Sequence, residues 1–409
     1  MNAFNPRTFS SDWEVTILDR NLQLLDNEKL SGLAGLLNVE SGLPVHMDWR
    51  SVEIGLGINR SLDQVAARII EVTDRLTQLA ESYDCTVFPM ASHPRDVYFN
   101  ASHVHVGTIH DEAIGLHLEA DLLRYTPVIA ALGANSPFYN YALGGFKSYR
   151  VRRGAHRCTL VVSPRQPEFA QPQWGGDASP KLWGHPTLEV RILDCASSRR
   201  LLAELATFIA AFVHHLGTKQ QKYDVTRESY KESIENRWLA AKHGLQATFN
   251  WNGSPRPVVE IANEMLDECG DALMELGARR SDLRLVEAML QKRTCQADFA
   301  LDLAHRYDEP YLQLCALKNR LREWSAFDEY LEACPTLEPA PALDRATILE
   351  AHLDLIGHGT HFYESRMGMD YPPTEADAVI EELVESGALA KEAMPDGTIA
   401  LTRLAARSN

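Results

Sequence analysis

The chain has 409 residues and carries 40 Lys and Arg against 56 Asp and Glu, a net charge of −16. With 45% apolar and 23% charged residues it has the composition of an ordinary globular protein, which excludes a disordered tail, and its acidity argues against general nucleic-acid binding. No uninterrupted apolar run reaches about 18 residues, which argues against a membrane-spanning helix, and the N-terminal stretch with Asp12, Glu14 and Asp19 does not read as a secretory signal.

Residues 12–19 (DWEVTILD) alternate as a half-buried strand, with Asp12, Glu14 and Thr16 on one face and Trp13, Val15 and Ile17 on the other. Glu53 follows in VEIGLG. Ser61 and Gln64 form a capping box for a helix running to about Tyr83, with Leu62, Val65, Ile69, Val72, Leu76 and Leu79 as its apolar stripe. Strands are predicted at 85–90 and 99–109, and the second turns His103 and His105 to one side. Asp111 caps a helix to about Asn135 that Pro127 should kink.

Residues 146–153 (FKSYRVRR) form a basic segment with Lys147, Arg150, Arg152 and Arg153. The loop from about 154 to 186 contains Trp174, Gly175 and Gly176 and reads equally as a substrate lid or a packed loop. Residues 187–194 (TLEVRILD) alternate again, with Glu189 and Arg191 on one face. Ser197 or Ser198 caps an apolar helix ending near His214, His215 and Gly217. Four helical segments are predicted at about 226–245, 257–276, 281–305 and 309–331, then a Pro-rich break at 335–343. Beyond it the pattern predicts a helix near 344–356, a turn at Ile356-Gly357-His358-Gly359, a helix near 374–386 and a hairpin around Asp396-Gly397.

Long connections alone would allow a parallel sheet. The strands alternate instead of running apolar throughout, which favours an antiparallel sheet with one wet face. That face would gather Asp12, Glu14, Glu53, His103, His105, Glu189 and Arg191. Carboxylates with an imidazole suit a hard cation such as Mg2+ or Mn2+. The bland readings are a solvated D-x-E face and a same-face E-x-R ion pair worth little. Arginines and a lysine beside a metal are what phosphate transfer requires; a solvated basic loop is the plain alternative. No Walker loop, dinucleotide fingerprint, G-x-S-x-G or H-E-x-x-H occurs. The seven cysteines make no disulfide framework, which fits a reduced, cytoplasmic setting. Cys195 reads as a packing thiol, and Trp13, Trp49 and Trp183 as packing groups.

Several stretches together resemble one family. VEIGLGINRSLDQVAARI, ASHVHVG, LRYTPVIAALGANSPF, FKSYR, TLEVRILD and ENRWLAAKHGL occur in the order found in the carboxylate–amine ligases of glutamate–cysteine ligase family 2. The resemblance runs from about residue 9 to 250 and more faintly through the helical region. It implies an α+β, glutamine synthetase-like fold: a curved antiparallel sheet with flanking helices, plus a C-terminal helical region.

The resemblance also implies an ATP- and Mg2+-dependent ligase, in which a carboxylate takes the γ-phosphoryl group and an amine then displaces phosphate. The carboxylate substrate would be glutamate or another amino acid. Asp12, His103 and Glu189 would share one metal, and Glu14 and Glu53 another. Arg150 and Arg191 would stabilise the transferring group, with Lys147 near ATP. His93 and His105 would contact substrate or support the ligands, and Ser148 would hold the loop. The change of texture along the chain divides it into a sheet region at 1–217, a helical region at 218–334 that completes the catalytic domain, and a C-terminal extension at 335–409 with no counterpart in the resemblance. A homo-oligomer acting on small molecules, away from nucleic acid and membrane, is expected.

The sequence departs from the family where Ser10-Ser11-Asp12-Trp13-Glu14 stands for G-x-E-x-E. A second departure lies before Glu53, where Trp49 and Arg50 replace an acid and Asp48 is close by. These departures motivate the alternative of a nucleotide-binding regulatory or catalytically lapsed member. A kinase or guanidino-group phosphotransferase is a third reading.

Overall fold

The computed structural model describes residues 4–109, 111–153, 177–181, 186–218, 227–341, 384–385, 389–393 and 399–403. The long strand β1 (Phe4–Leu18) is followed by α1 (Asn27–Ser41), β2 (Val45–Asp48), β3 (Ser51–Gly55), α2 (Leu62–Ser82), β4 (Thr86–Phe88) and β5 (Ser102–Ile109). Then come α3 (Glu112–Leu123), α4 (Thr126–Gly133), a small hairpin of β6 (Phe138–Tyr139) and β7 (Ala142–Leu143), and α5 (Tyr149–Arg153). β8 (Ala178–Lys181), β9 (Thr187–Val190) and α6 (Arg199–Thr218) complete this half.

The main sheet has seven strands in the order β2-β3-β1-β5-β9-β8, with β4 also paired to β1. Each of its ladders is antiparallel, as the alternation predicts. Trp13, Val15, Ile17, Val52, Ile54, Val104, Val106, Leu188 and Val190 are all buried, and they make the dry face. α2 and α6 pack on that side. On α2, Val65, Ile69, Val72 and Leu76 are fully buried, so the predicted stripe is the contact face.

The remaining described helices are α7 (Arg227–His243), α8 (Val258–Glu268), α9 (Gly270–Glu275), α10 (Arg284–Lys292), α11 (Gln296–Ala304), α12 (Pro310–Leu321) and α13 (Ala326–Ala333). Of these, α8, α9 and α10 touch α6, which also packs on the sheet. That position explains the composition of α6, which is apolar on nearly every side. Among the described residues α6 is the helix long and apolar enough to cross a membrane, and it spends that surface in the core.

Several expected elements differ. Pro127 does not kink one helix; it sits in the first turn of α4, where its missing N–H costs nothing. The capping arm of Gln64 accepts from the N–H of Arg60, not of Ser61, while Ser61 accepts from Gln64 N–H. The expected helix 257–276 is divided between Cys269 and Gly270, and 281–305 is divided where Arg293 takes a left-handed conformation. A hairpin of β10 (Thr248–Trp251) and β11 (Ser254–Pro257) was not expected, although Asn252-Gly253 is a strong hairpin-turn signal and both residues have positive φ. Trp49 is 74% exposed at a left-handed turn position and is not a packing group. Trp13 is.

Beyond the Pro-rich break, β12 (Leu389–Ala393) and β13 (Ile399–Arg403) form the predicted hairpin. The lid or loop at 154–176, Trp183, the helix near 344–356, the turn at 356–359 and the helix near 374–386 lie outside the described residues, apart from 384–385. The six described cysteines are free thiols. Cys195 is fully buried and its thiol is pushed well above the usual range by burial, which fits a packing role.

Candidate active site

Strand register gathers the wet face. Glu14 pairs with Glu53 across β1 and β3, Asp12 pairs with His103 across β1 and β5, and His105 pairs with Glu189 across β5 and β9. Side chains directly opposite one another share a face, so three ladders bring six candidate residues together.

Glu14 and Glu53 are joined by Asp48 from the end of β2, with ligand oxygens of all three within 4.8 Å of one another. Burial raises Glu53 to about 8, helped by the charges of Glu14, Asp12, Asp48 and Glu189. Burial likewise raises Glu14 to about 7, opposed by Arg150. Glu14 Oε2 accepts from the Ala101 N–H at 2.8 Å, which leaves Oε1 to the site. Three crowded carboxylates form an oxygen donor set for a hard divalent cation. Asp48, immediately before Trp49 and Arg50, supplies the third carboxylate of this group. Its role depends on the β2–β3 register, so the sequence showed only its proximity.

His103 lies between two acids. Its Nε2 is 3.6 Å from Glu14 Oε1 and its Nδ1 is 3.4 Å from Glu189 Oε1. Burial lowers His103 to about 4, with Arg191 adding to the effect, so the imidazole is neutral at physiological pH. A neutral imidazole donates one proton and presents a lone pair at its other nitrogen, the form that ligates metals. Burial opposes ionisation of Glu189, but the hydrogen bond from His103 and the charge of Arg191 hold it well below the usual carboxylate range. Arg191 Nη1 sits 2.5 Å from Glu189 Oε1.

Asp12 is arranged differently from the expected set. Its Oδ2 lies 2.9 Å from His105 Nε2, and His105 Nδ1 meets Thr187 Oγ1 at 3.0 Å. Burial opposes ionisation of Asp12, but the His105 hydrogen bond and the nearby positive charge, that of Lys181 included, together lower its pKa. His105 Nε2 is also 3.6 Å from Glu189. Asp12 thus borders the His103–Glu189 pair with its carboxylate turned to His105.

The basic residues divide. Arg150 is buried, and its guanidinium donates to the carbonyls of Arg191 at 2.8 Å, Ile192 at 3.1 Å and Leu193 at 3.2 Å. It also stands 3.6 Å from Asp194. Lys147 instead pairs with Asp298 and Gln246, both at 2.6 Å, in the helical region. Ser148 holds the loop: its hydroxyl meets Ser136 Oγ at 3.1 Å and accepts from Val151 N–H. His93 is buried in the connection after β4, accepting from Arg95 N–H and standing edge-on to Phe88.

Residues 96–154 match the model of glutamate–cysteine ligase family 2, a span that holds His103, His105, Lys147 and Arg150. Two similar proteins carry glutamate–cysteine ligase 2 as a provisional name. The one from Solibacter usitatus is 24% identical over 281 residues, covering 56% of this chain and 71% of that one. The one from Thermobifida fusca is 25% identical over 346 residues, covering 70% and 85%. Among solved structures, glutamate–cysteine ligase from Francisella tularensis, determined in complex with AMP, aligns with a TM-score of 0.57 at 11% identity, covering 93% of this chain and 98% of that one. A bifunctional glutathione synthetase from Pasteurella multocida aligns with a TM-score of 0.55 at 12% identity, covering 97% and 58%. The chain is therefore similar to glutamate–cysteine ligase family 2 and shares the α+β fold of the Francisella tularensis glutamate–cysteine ligase, which supports a carboxylate–amine ligase of the glutamate–cysteine ligase type.

Proposed function

We propose that the protein is an ATP-dependent carboxylate–amine ligase that requires Mg2+ or Mn2+, works through an acyl phosphate and takes glutamate or another amino acid as its carboxylate substrate. The observation that carries this reading is the carboxylate set Glu14, Asp48 and Glu53 on one face with His103, Glu189 and Arg191. A divalent cation held there would neutralise phosphate charge during transfer.

In the first step a substrate carboxylate oxygen bonds to the γ-phosphorus as the bond to ADP breaks. In the second an amine attacks the acyl carbon, phosphate leaves with the C–O electron pair, and the nitrogen loses a proton. Arg191, set by its contact with Glu189, supplies fixed positive charge beside the transferring group. Arg150 supports it from behind through the Arg191 carbonyl. The expected sets Asp12–His103–Glu189 and Glu14–Glu53 enter this reading with Asp48 added to the second. Residues 1–217 would carry the face, 218–334 would complete the catalytic unit and 335–409 would extend it.

ADP release from Mg2+–ATP in the presence of pooled amino acids and small amines tests the proposal. Release should depend on one pool and fall by roughly 10²- to 10³-fold in Glu189→Gln, the usual cost of losing a preorganised charge contact. Equal release from wild type and variant would contradict it. The turn of Asp12 toward His105 favours a second reading, a member that binds nucleotide without turnover. Calorimetric binding of Mg2+–ATP with no ADP from any pool would select that one.

A further inference from the structure

Two residues outside the wet face reach the backbone of Arg191 and of Val151, the neighbour of Arg150. Arg237, on α7, donates from Nε to Asp177 Oδ2 at 2.6 Å and from Nη2 to Asp177 Oδ1 at 3.1 Å. Both side chains are at least nine-tenths buried. The third nitrogen, Nη1, donates to the Val151 carbonyl, next to Arg150 in α5. The Asp177 carbonyl in turn accepts the Arg191 N–H at 2.8 Å. Arg150 closes the circuit by donating to the Arg191 carbonyl. Arg191 is thus gripped by its N–H from Asp177 and by its C=O from Arg150, and Arg237 holds both grips.

We infer that Arg237 and Asp177 are positioning residues for the phosphoryl-transfer step. They fix the Arg191 backbone, and so its guanidinium, without touching substrate. The inference rests on the ligase reading given above. Its physical basis is the geometry of the fork. A guanidinium can engage both carboxylate oxygens and a carbonyl at once, whereas an ammonium is a point donor that keeps the charge and loses the planar grip. A small displacement of a clamping group raises the barrier of the chemical step even when the substrate still binds.

The test compares the full-length chain with Arg237→Lys and with Asn236→Ala. Asn236 is the adjacent residue and holds α7 to β10 through Asn250, so its variant reports on loss of helix anchoring alone. Melting temperature, calorimetric Mg2+–ATP affinity, and the kcat and KM of ADP release are measured for each. Arg237→Lys should lower kcat by up to roughly 10²-fold with Mg2+–ATP affinity little changed. Asn236→Ala should lower the melting temperature and leave the kcat of the folded protein in place. Unchanged kcat in Arg237→Lys, or equal loss in both variants in proportion to their unfolded fraction, would overturn the positioning role while the ligase reading stands. A folded wild type that releases no ADP from any pool would remove the ligase reading, and the inference with it.

Discussion

Glu14 and Glu53 stand directly opposite each other on neighbouring antiparallel strands, with Asp48 completing the group from the end of the hairpin. Like charges directly across a ladder are destabilising. The site therefore holds repulsion that a cation would relieve, and the charges of Glu14, Asp12, Asp48 and Glu189 add to burial in raising Glu53.

Cation binding should release protons at neutral pH. Glu53, at about 8, and Glu14, at about 7, are both partly protonated there, and a ligating carboxylate must be ionised. Mn2+ affinity should therefore rise from pH 6 toward the Glu53 value near 8 and then level off. Titration calorimetry in two buffers of different ionisation heat reads the released protons directly. Glu53→Gln should abolish part of that release and weaken binding by at least the roughly 10- to 100-fold that loss of a supporting partner costs. Buffer-independent heats would count against the site.

Glu204 is a stability residue for the helical half. It is almost fully buried in α6, and its Oε2 accepts the N–H groups of Leu285 and Val286 at the start of α10, at 2.8 and 3.1 Å. Arg200 donates to its Oε1 at 2.7 Å. Removing the carboxylate strands two buried donors, each worth about 1–3 kcal/mol. Glu204→Ala should lower unfolding free energy by at least about 2 kcal/mol in urea titration, and Glu204→Gln, which keeps one acceptor, should lose less. A loss within noise for Ala would refute the capping role.

His93 should make the fold sensitive to mild acid. Burial lowers it from an ordinary 6.5 to about 4, so below pH 6.5 the unfolded chain binds a proton that the folded chain refuses. Stability from this group is present above pH 6.5 and is lost as pH falls toward 4, with a slope of at most about 1.4 kcal/mol per pH unit for one proton. Urea midpoints for wild type and His93→Asn at pH 7 and pH 5 check this. The variant should lose less between the two pH values, and parallel losses would rule the histidine out.

Much of the site could be read before any coordinates because β-strand side chains repeat every second residue. DWEVTILD and SHVHVG each declare which residues share a face, and TLEVRILD does the same for Glu189 and Arg191. What alternation does not carry is the lateral order and register of strands. Asp48 therefore stayed a neighbour of Glu53 in sequence, until the β2–β3 ladder put it beside Glu14. The destination of a long charged side chain is equally hidden. Lys147 and Arg150 look alike in FKSYR, yet one ammonium goes to Asp298 and the other side chain to the carbonyls after β9. Asn252-Gly253 is a different case, since that hairpin signal was present in the short gap between two expected helices, where the flanking strands are only four residues each.

The carbonyl of Ala241 accepts the N–H groups of both Lys147 and Ser148 at 2.8 Å, and Lys147 reaches Asp298 beyond it. The loop that delivers Arg150 is thus moored to α7 and α11 as well as to the segment after β9. The change of texture near residue 217 is accordingly no seam in the machine. A protease cut that released the helical half, or a fragment ending before α7, would leave the acidic face in place and set its arginines adrift.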